Sequence, residues 1–168
     1  VSGPMGKKVH IEEGAKSVLG IAGGVGAAPI FPQLRELSDS GVSVDLVLGA
    51  RNKDYIILDE DFAKITENRY ICTDDGSMGH KGTVVDILRG YLEENKVDII
   101  YTCGPHVMMV AVARVAKEFG VRCQVSLEER MACGVKACMG CSIPTTKGMQ
   151  KVCYDGPVFE AEEVIDIE

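Results

Sequence analysis

Residues 17–22, Ser-Val-Leu-Gly-Ile-Ala, run straight into Gly23-Gly24-Val25-Gly26-Ala27-Ala28-Pro29, and this junction decides the fold. The apolar hexapeptide suits a buried strand. An amphipathic helix follows to about Ser40, with Ile30, Leu34 and Leu37 on one face and Gly41 as a C-cap candidate. Glycines between a strand and a helix let the backbone turn sharply and let a phosphate approach the helix's first amides. A glycine loop alone equally describes a tight β–α turn. From Gly24 it reads G-V-G-A-A-P, with Pro29 where the Rossmann G-x-G-x-x-G has its third glycine. The second strand also lacks a free acid at its end, because Asp45 falls inside it. An ordinary dehydrogenase Rossmann unit is disfavoured on both counts.

The same alternation continues outward. Strands are expected at 42–48, 70–73, 97–102 and 121–127, and helices at 58–65, 83–94 and from Pro105 to near Gly120. Strand–helix alternation of these lengths implies an α/β fold with a five-stranded, doubly wound parallel sheet. Right-handed crossovers then place every strand's C-terminal end on one rim. Residues 1–14 read as an extended lead-in, 15–128 as the α/β domain, and 129–168 as a small cysteine-rich module with an acidic, solvated tail.

Three irregular segments reach the rim: Gly23–Pro29, Asp74-Asp75-Gly76-Ser77 with Met78-Gly79, and Cys103-Gly104-Pro105. Cys103 ends a buried strand, where a small apolar side chain and a residue at a ligand are both reasonable readings. Asp74 and Asp75 also serve as turn formers. Cys72 and Cys123, inside expected strands, read as core. Arg51, at the end of the second strand, reads as a solvated surface arginine. The weight comes from co-location on one rim.

Beyond the last strand stand Cys133-x4-Cys138-x2-Cys141 and, after eleven residues, Cys153. This is the spacing with which plant-type ferredoxins hold a [2Fe–2S] cluster. A zinc site stays open as an alternative, although only Cys138-x2-Cys141 has a zinc-knuckle spacing. A disulfide framework suits poorly an odd count of seven cysteines. With 25 acidic and 18 basic residues the net charge is −7, and no Lys/Arg run is present, so a nucleic-acid partner is not expected. The apolar run Val107–Ala116 is too short for a membrane span and contains Arg114. No export signal is visible, which with unpaired or metal-bound cysteines points to a reducing cytoplasm.

G-G-V-G-A-A-P, D-D-G-S-x-G and C-G-P-x-x-M (Cys103 to Met108) together resemble the nucleotide domain of ferredoxin-reductase-type flavoproteins. The tail E-R-M-A-C-G-V-K-A-C-M-G-C, then K-V-C-Y-D-G-P-V-F, resembles the electron transfer subunits of class 1B dihydroorotate dehydrogenases. The resemblance implies FAD, a [2Fe–2S] cluster and NAD(H), with an FMN-containing catalytic partner that oxidises dihydroorotate to orotate. It implies that Gly23, Gly24, Val25, Gly26 and Ala27 meet the NAD phosphates. Asp74, Asp75, Gly76 and Ser77 would flank the nicotinamide side with Cys103, Gly104, Pro105 and Met108, Cys103 being the catalytic candidate. Cys133, Cys138, Cys141 and Cys153 would ligate iron. The family's FAD-binding barrel precedes its nucleotide domain, and only Val1–Gly6 here resembles its closing segment, so FAD is expected only with that domain. A related reductase passing electrons from NAD(P)H to ferredoxin or a hydrogenase is the neighbouring reading. Lys136 stands where the family's cluster loop usually has glycine: either strained at positive φ, or a charge favouring the reduced cluster.

Overall fold

The computed structural model describes residues 6–7, 14–164 and 167. The chain runs β1 (Ser17–Gly23), α1 (Ala27–Asp39), β2 (Ser43–Ala50), α2 (Asp59–Phe62), β3 (Arg69–Thr73), β4 (His80–Lys81) and α3 (Val84–Glu94). It continues through β5 (Ile99–Cys103), α4 (His106–Glu118), β6 (Arg122–Ser126), β7 (Ser142–Thr145), β8 (Gly148–Lys151), α5 (Val152–Asp155) and β9 (Val158–Glu160). All five expected strands form, as β1, β2, β3, β5 and β6. They are mutually parallel and carry helices on both faces.

The sheet has seven strands rather than five, in the order β4-β3-β2-β1-β5-β6-β9. Both additions are edges that no local pattern announces. β4 is two exposed residues between glycines. β9 is three residues of an acidic stretch, held antiparallel to β6 through Gln124↔Glu160, Val125↔Phe159 and Ser126↔Val158. Strand character here comes from pairing, since β propensity depends heavily on context.

Burial on both faces explains the uninterrupted apolar runs of the central strands. Leu19, Ile21 and Val47 pack with Leu88 of α3 and Val112 of α4. Val18, Leu46 and Leu48 pack with Ile30, Leu34 and Leu37 of α1 and with Phe62, which meets Phe31 edge to face at 5.1 Å. Strand order reverses between β1 and β5, which makes their carboxyl ends the switch point where such sheets open a crevice.

The acidic tail is not simply solvated. Glu160 takes a two-point grip from Arg122 (2.9 and 2.6 Å) and a bond from Gln124 Nε2 (2.6 Å), while Phe159, Ala161, Val164 and Ile167 are buried. Cys141, Ile143, Val152 and Cys153 join the same core cluster as α3 and α4. The segmentation 15–128 and 129–168 therefore follows the chain, whereas the core runs across it. The lead-in 1–14 lies almost wholly outside the described residues, apart from Gly6, Lys7 and Gly14. The Lys7 N–H donates to the Gly156 carbonyl at 2.7 Å.

Phe159→Ala would empty the site that joins the tail to the sheet. Chemical denaturation is expected to show a loss of about 3–5 kcal/mol, the usual cost of deleting a buried aromatic. An unchanged midpoint would mean that β9 is not part of the cooperative core.

Candidate functional site: the switch-point rim and the cysteine module

The register Ala22↔Cys103 puts the Gly23–Gly26 loop level with Cys103–Pro105. A Cβ on Gly26 would lie 2.2 Å from the Cys103 carbonyl oxygen, so only glycine lets the two strand ends touch. A Cβ on Gly23 would stand 2.6 Å from Met108 Sδ and 2.8 Å from Pro105 Cδ, which places those three residues in one contact. Gly24 differs in kind. Its φ is +53°, and a Cβ there would meet nothing within 4 Å. It faces open space beside Val25, which is 77% exposed.

No side chain closes the helix ends at this point, although the Ala27 N–H already donates to the Gly24 and Val25 carbonyls. Neither α1 nor α4 has a side-chain cap or an acid in its first turn. α3, by contrast, closes its own N-terminus with a Thr83–Asp86 capping box, the Thr83 N–H donating to Asp86 at 2.7 Å. Free amides at a helix start, with the partial positive charge of the helix dipole, favour a phosphate. The cradle at Gly24 and these two ends fit a dinucleotide.

Asp74–Ser77 is not drawn into that contact. β3 lies on the far side of β1 and β2 from β5, three strand spacings or about 14 Å across. Its side chains are engaged locally: the Ser77 N–H donates to Asp75 (2.9 Å), and Ser77 Oγ accepts from the Lys53 N–H (2.8 Å). The Ser77 hydroxyl and N–H hold the Asp75 carboxyl below its usual range. This turn braces the residues after β2, including exposed Arg51 and Tyr55. Cys103 is buried, and burial pushes its thiol up, with Ser126 pulling partly the other way. Cys72 and Cys123 are buried in the sheet, where burial raises their thiols to about 11 and about 12, so both stay protonated core residues.

The four remaining cysteines meet as two pairs. The Cys138 N–H donates to Cys133 Sγ at 3.2 Å, and amides of Cys138, Val135 and Ala137 draw the Cys133 thiol down to about 6. The β7–β8 hairpin fills the eleven-residue spacer and returns the chain, with the Val152 N–H on the Cys141 carbonyl (3.0 Å). That return sets Cys153 against Cys141. The Lys136 N–H draws the Cys153 thiol down, but the Cys141 sulfur, burial and Cys133 together push it up. Among the described residues, no three His, Cys, Asp or Glu side chains close on one ion position. Two thiolates beside two thiolates is the donor set of a two-iron cluster. Amides aimed at sulfur suit thiolates that must carry negative charge.

Sequence reasoning singled out Lys136 but passed over its partners beside Cys153. Lys136 stands at φ +65°, a conformation costing a non-glycine residue about 1–2 kcal/mol. Its ammonium lies 4.1 Å from the Tyr154 ring centroid and 3.7 Å from Asp155 Oδ1. The aromatic and the acid directly following the fourth cysteine were the available signal.

Comparison with known proteins matches residues 21–114 to the oxidoreductase NAD-binding domain and residues 128–165 to the iron–sulfur cluster binding domain of dihydroorotate dehydrogenase B. The chain belongs to the oxidoreductase NAD-binding family, in the branch bearing that iron–sulfur domain. It is 40% identical over 164 residues to the "Probable dihydroorotate dehydrogenase B (NAD(+)), electron transfer subunit" of Methanocaldococcus jannaschii, covering 98% of this chain and 62% of that protein. It is 37% identical over 167 residues to the dihydroorotate dehydrogenase B (NAD(+)) electron transfer subunit of Desulforamulus reducens, covering 97% and 64%. Among solved structures, an NADH-dependent reduced ferredoxin-NADP oxidoreductase, studied for flavin-based electron bifurcation, superposes with a TM-score of 0.87 at 38% identity. That match covers 97% of this chain and 58% of the other. The chain thus spans a little under two thirds of the length of these relatives. It is an NAD-binding oxidoreductase domain followed by an iron–sulfur module, as the motifs implied. Among the described residues, no helix is long and apolar enough to cross a membrane.

The two glycines of the loop separate packing from conformation. Gly26→Ala is expected to lower the melting temperature well below that of Gly24→Ala, because its methyl meets backbone that cannot move aside. Equal melting of the two variants would refute the close approach of the β1–α1 loop to Cys103.

Proposed function

We propose that this chain carries electrons between NAD(H), a flavin and a [2Fe–2S] cluster, in the service of dihydroorotate oxidation by a separate FMN-containing subunit. One observation carries the reading: the glycine loop at the β1/β5 switch point and the Cys141–Cys153 pair are built on one seven-stranded sheet, the cysteine module joining it through the β6–β9 pairing and the core beneath α3 and α4. Hydride transfer moves electrons in pairs and a cluster accepts them singly, so a flavin has to stand between the two. In this reading the FAD sits in an accompanying domain, as the family resemblance of the motifs implies.

In this reading Gly23, Gly24, Val25, Gly26 and Ala27 receive the pyrophosphate at a helix start that no side chain caps. Cys103, Gly104, Pro105 and Met108 border the nicotinamide, with Cys103 offering a neutral, buried thiol edge. Asp74, Asp75, Gly76 and Ser77 bear on the dinucleotide only from farther along the rim, by holding the segment after β2. Cys133 and Cys138 would hold one iron, and Cys141 and Cys153 the other. The reading includes a cytoplasmic setting and no nucleic-acid partner, supported by cysteines read as metal-bound or core and by a net charge of −7. A second reading, an NAD(P)H–ferredoxin reductase subunit, is supported by the bifurcating oxidoreductase, which is about as similar as the dihydroorotate dehydrogenase relatives.

Cys141→Ser is expected to lose most of the bound iron while Cys72→Ser retains it; equal retention would sink the ligand assignment. Gly24→Val is expected to weaken NADH binding at least tenfold by calorimetry, because a β-branched side chain at φ +53° strains the loop and its bulk enters the phosphate cradle. Reconstitution with a dihydroorotate-oxidising FMN subunit distinguishes the two readings. NADH formation driven by dihydroorotate supports the first, and activity with ferredoxin alone supports the second.

A further inference from the structure

Lys136 and Leu58 are the two non-glycine residues at positive φ among the described residues, and Lys136 lies inside the cysteine loop. That conformation turns its N–H toward Cys153 Sγ and its carbonyl toward Lys151 Nζ, at 2.8 Å. Its side chain then reaches the same helix, with the ammonium 4.1 Å from the Tyr154 ring centroid and 3.7 Å from Asp155 Oδ1. Backbone and side chain of one residue thus tie the loop bearing Cys133 and Cys138 to the segment bearing Cys153. Asp155 is itself shared, accepting from the Lys151 N–H at 2.9 Å and facing Lys7 Nζ at 3.8 Å. With the ammoniums of Lys7 and Lys136 facing one carboxylate and that of Lys151 on the Lys136 carbonyl, three cations and one acid surround the segment that bears the fourth cysteine.

We propose that Lys136 is a positioning residue for the iron–sulfur cluster, latching the first two cysteine ligands to the fourth and raising the cluster's reduction potential with its ammonium. The proposal rests on the cluster reading above. Reduction adds one electron and hence one negative charge to the cluster, with no proton required, and a fixed cation nearby stabilises that added charge. The ammonium is a fixed one, because its seat on the Tyr154 face and beside Asp155 limits its rotamers. A glycine would adopt this backbone without strain but would supply neither the charge nor the latch.

The test uses the cluster-loaded protein, titrated with dithionite and followed by electron paramagnetic resonance, beside iron per chain and the rate of iron loss to a chelator. Lys136→Gly suits the backbone and removes the charge; Lys136→Met removes the charge and keeps the conformation; Lys136→Arg keeps the charge. The expected result is a midpoint shifted to lower potential in the Gly and Met variants and close to the unmodified protein in the Arg variant. Lys136→Gly should also lose iron several-fold faster. An unmoved midpoint in Lys136→Gly overturns the proposal, and so does a shift confined to Lys136→Gly with Lys136→Met unmoved, which would report conformation instead of charge. If Lys136→Met holds no iron, the Gly and Arg variants decide. A protein with no [2Fe–2S] signal before any substitution would fail the cluster reading itself, a separate outcome from an unmoved potential.

Discussion

The antiparallel pairing of β9 with β6 is the constraint on which the arrangement of the two redox modules depends. Three residues, Val158–Glu160, lie on the edge of an otherwise parallel sheet, with Arg122 gripping Glu160 through a bidentate, partly buried fork. Charge-assisted forks of this kind are stronger and more directional than single hydrogen bonds. Phe159 fills the core beneath, and the Leu127 N–H reaches back to the Pro157 carbonyl at 3.0 Å. This clasp and the burial of Cys141, Ile143, Val152 and Cys153 against α3 and α4 together hold the cysteine module to the sheet. With both, the loop is fixed on the β5–β6 side of the molecule, the side on which Cys103 ends its strand.

The rim and the module meet their ligands by different physical means. At the switch point the chain withdraws side chains. Gly26 lets strand ends touch, Gly24 leaves open space, and two helices begin without a side-chain cap. At the cysteines it adds polar hydrogens, aiming the amides of Cys138, Val135 and Ala137 at Cys133 and that of Lys136 at Cys153. Both devices offer backbone N–H groups to negative charge, phosphate in one place and thiolate in the other. Backbone donors of this kind cost little reorganisation because the fold already holds them.

Much of this was legible along the chain. The five parallel strands, the helix faces of Ile30, Leu34, Leu37, Val84, Leu88 and Leu92, and the four cysteines apart from the other three all follow from periodicity and spacing. Two things were not. β4 and β9 have no apolar alternation of their own, and they are strands because a neighbour's edge supplies the hydrogen bonds. Asp74–Ser77 share a rim with Cys103 in any parallel sheet, but strand order separates them, and no local pattern encodes that order.

The amino-acid sequence by itself determined the parallel α/β class, the glycine turn at the first strand and the soft four-thiol donor set. Each rests on short-range chemistry: period, φ preference and ligand spacing. Tertiary structure alone decided which cysteines pair, because the β7–β8 hairpin must fold back before Cys153 can reach Cys141. It also decided what Lys136 touches, since Tyr154 and Asp155 are eighteen and nineteen residues away along the chain and are brought together by that same turn. Contacts of that separation depend on chain closure, and closure is a property of the whole fold.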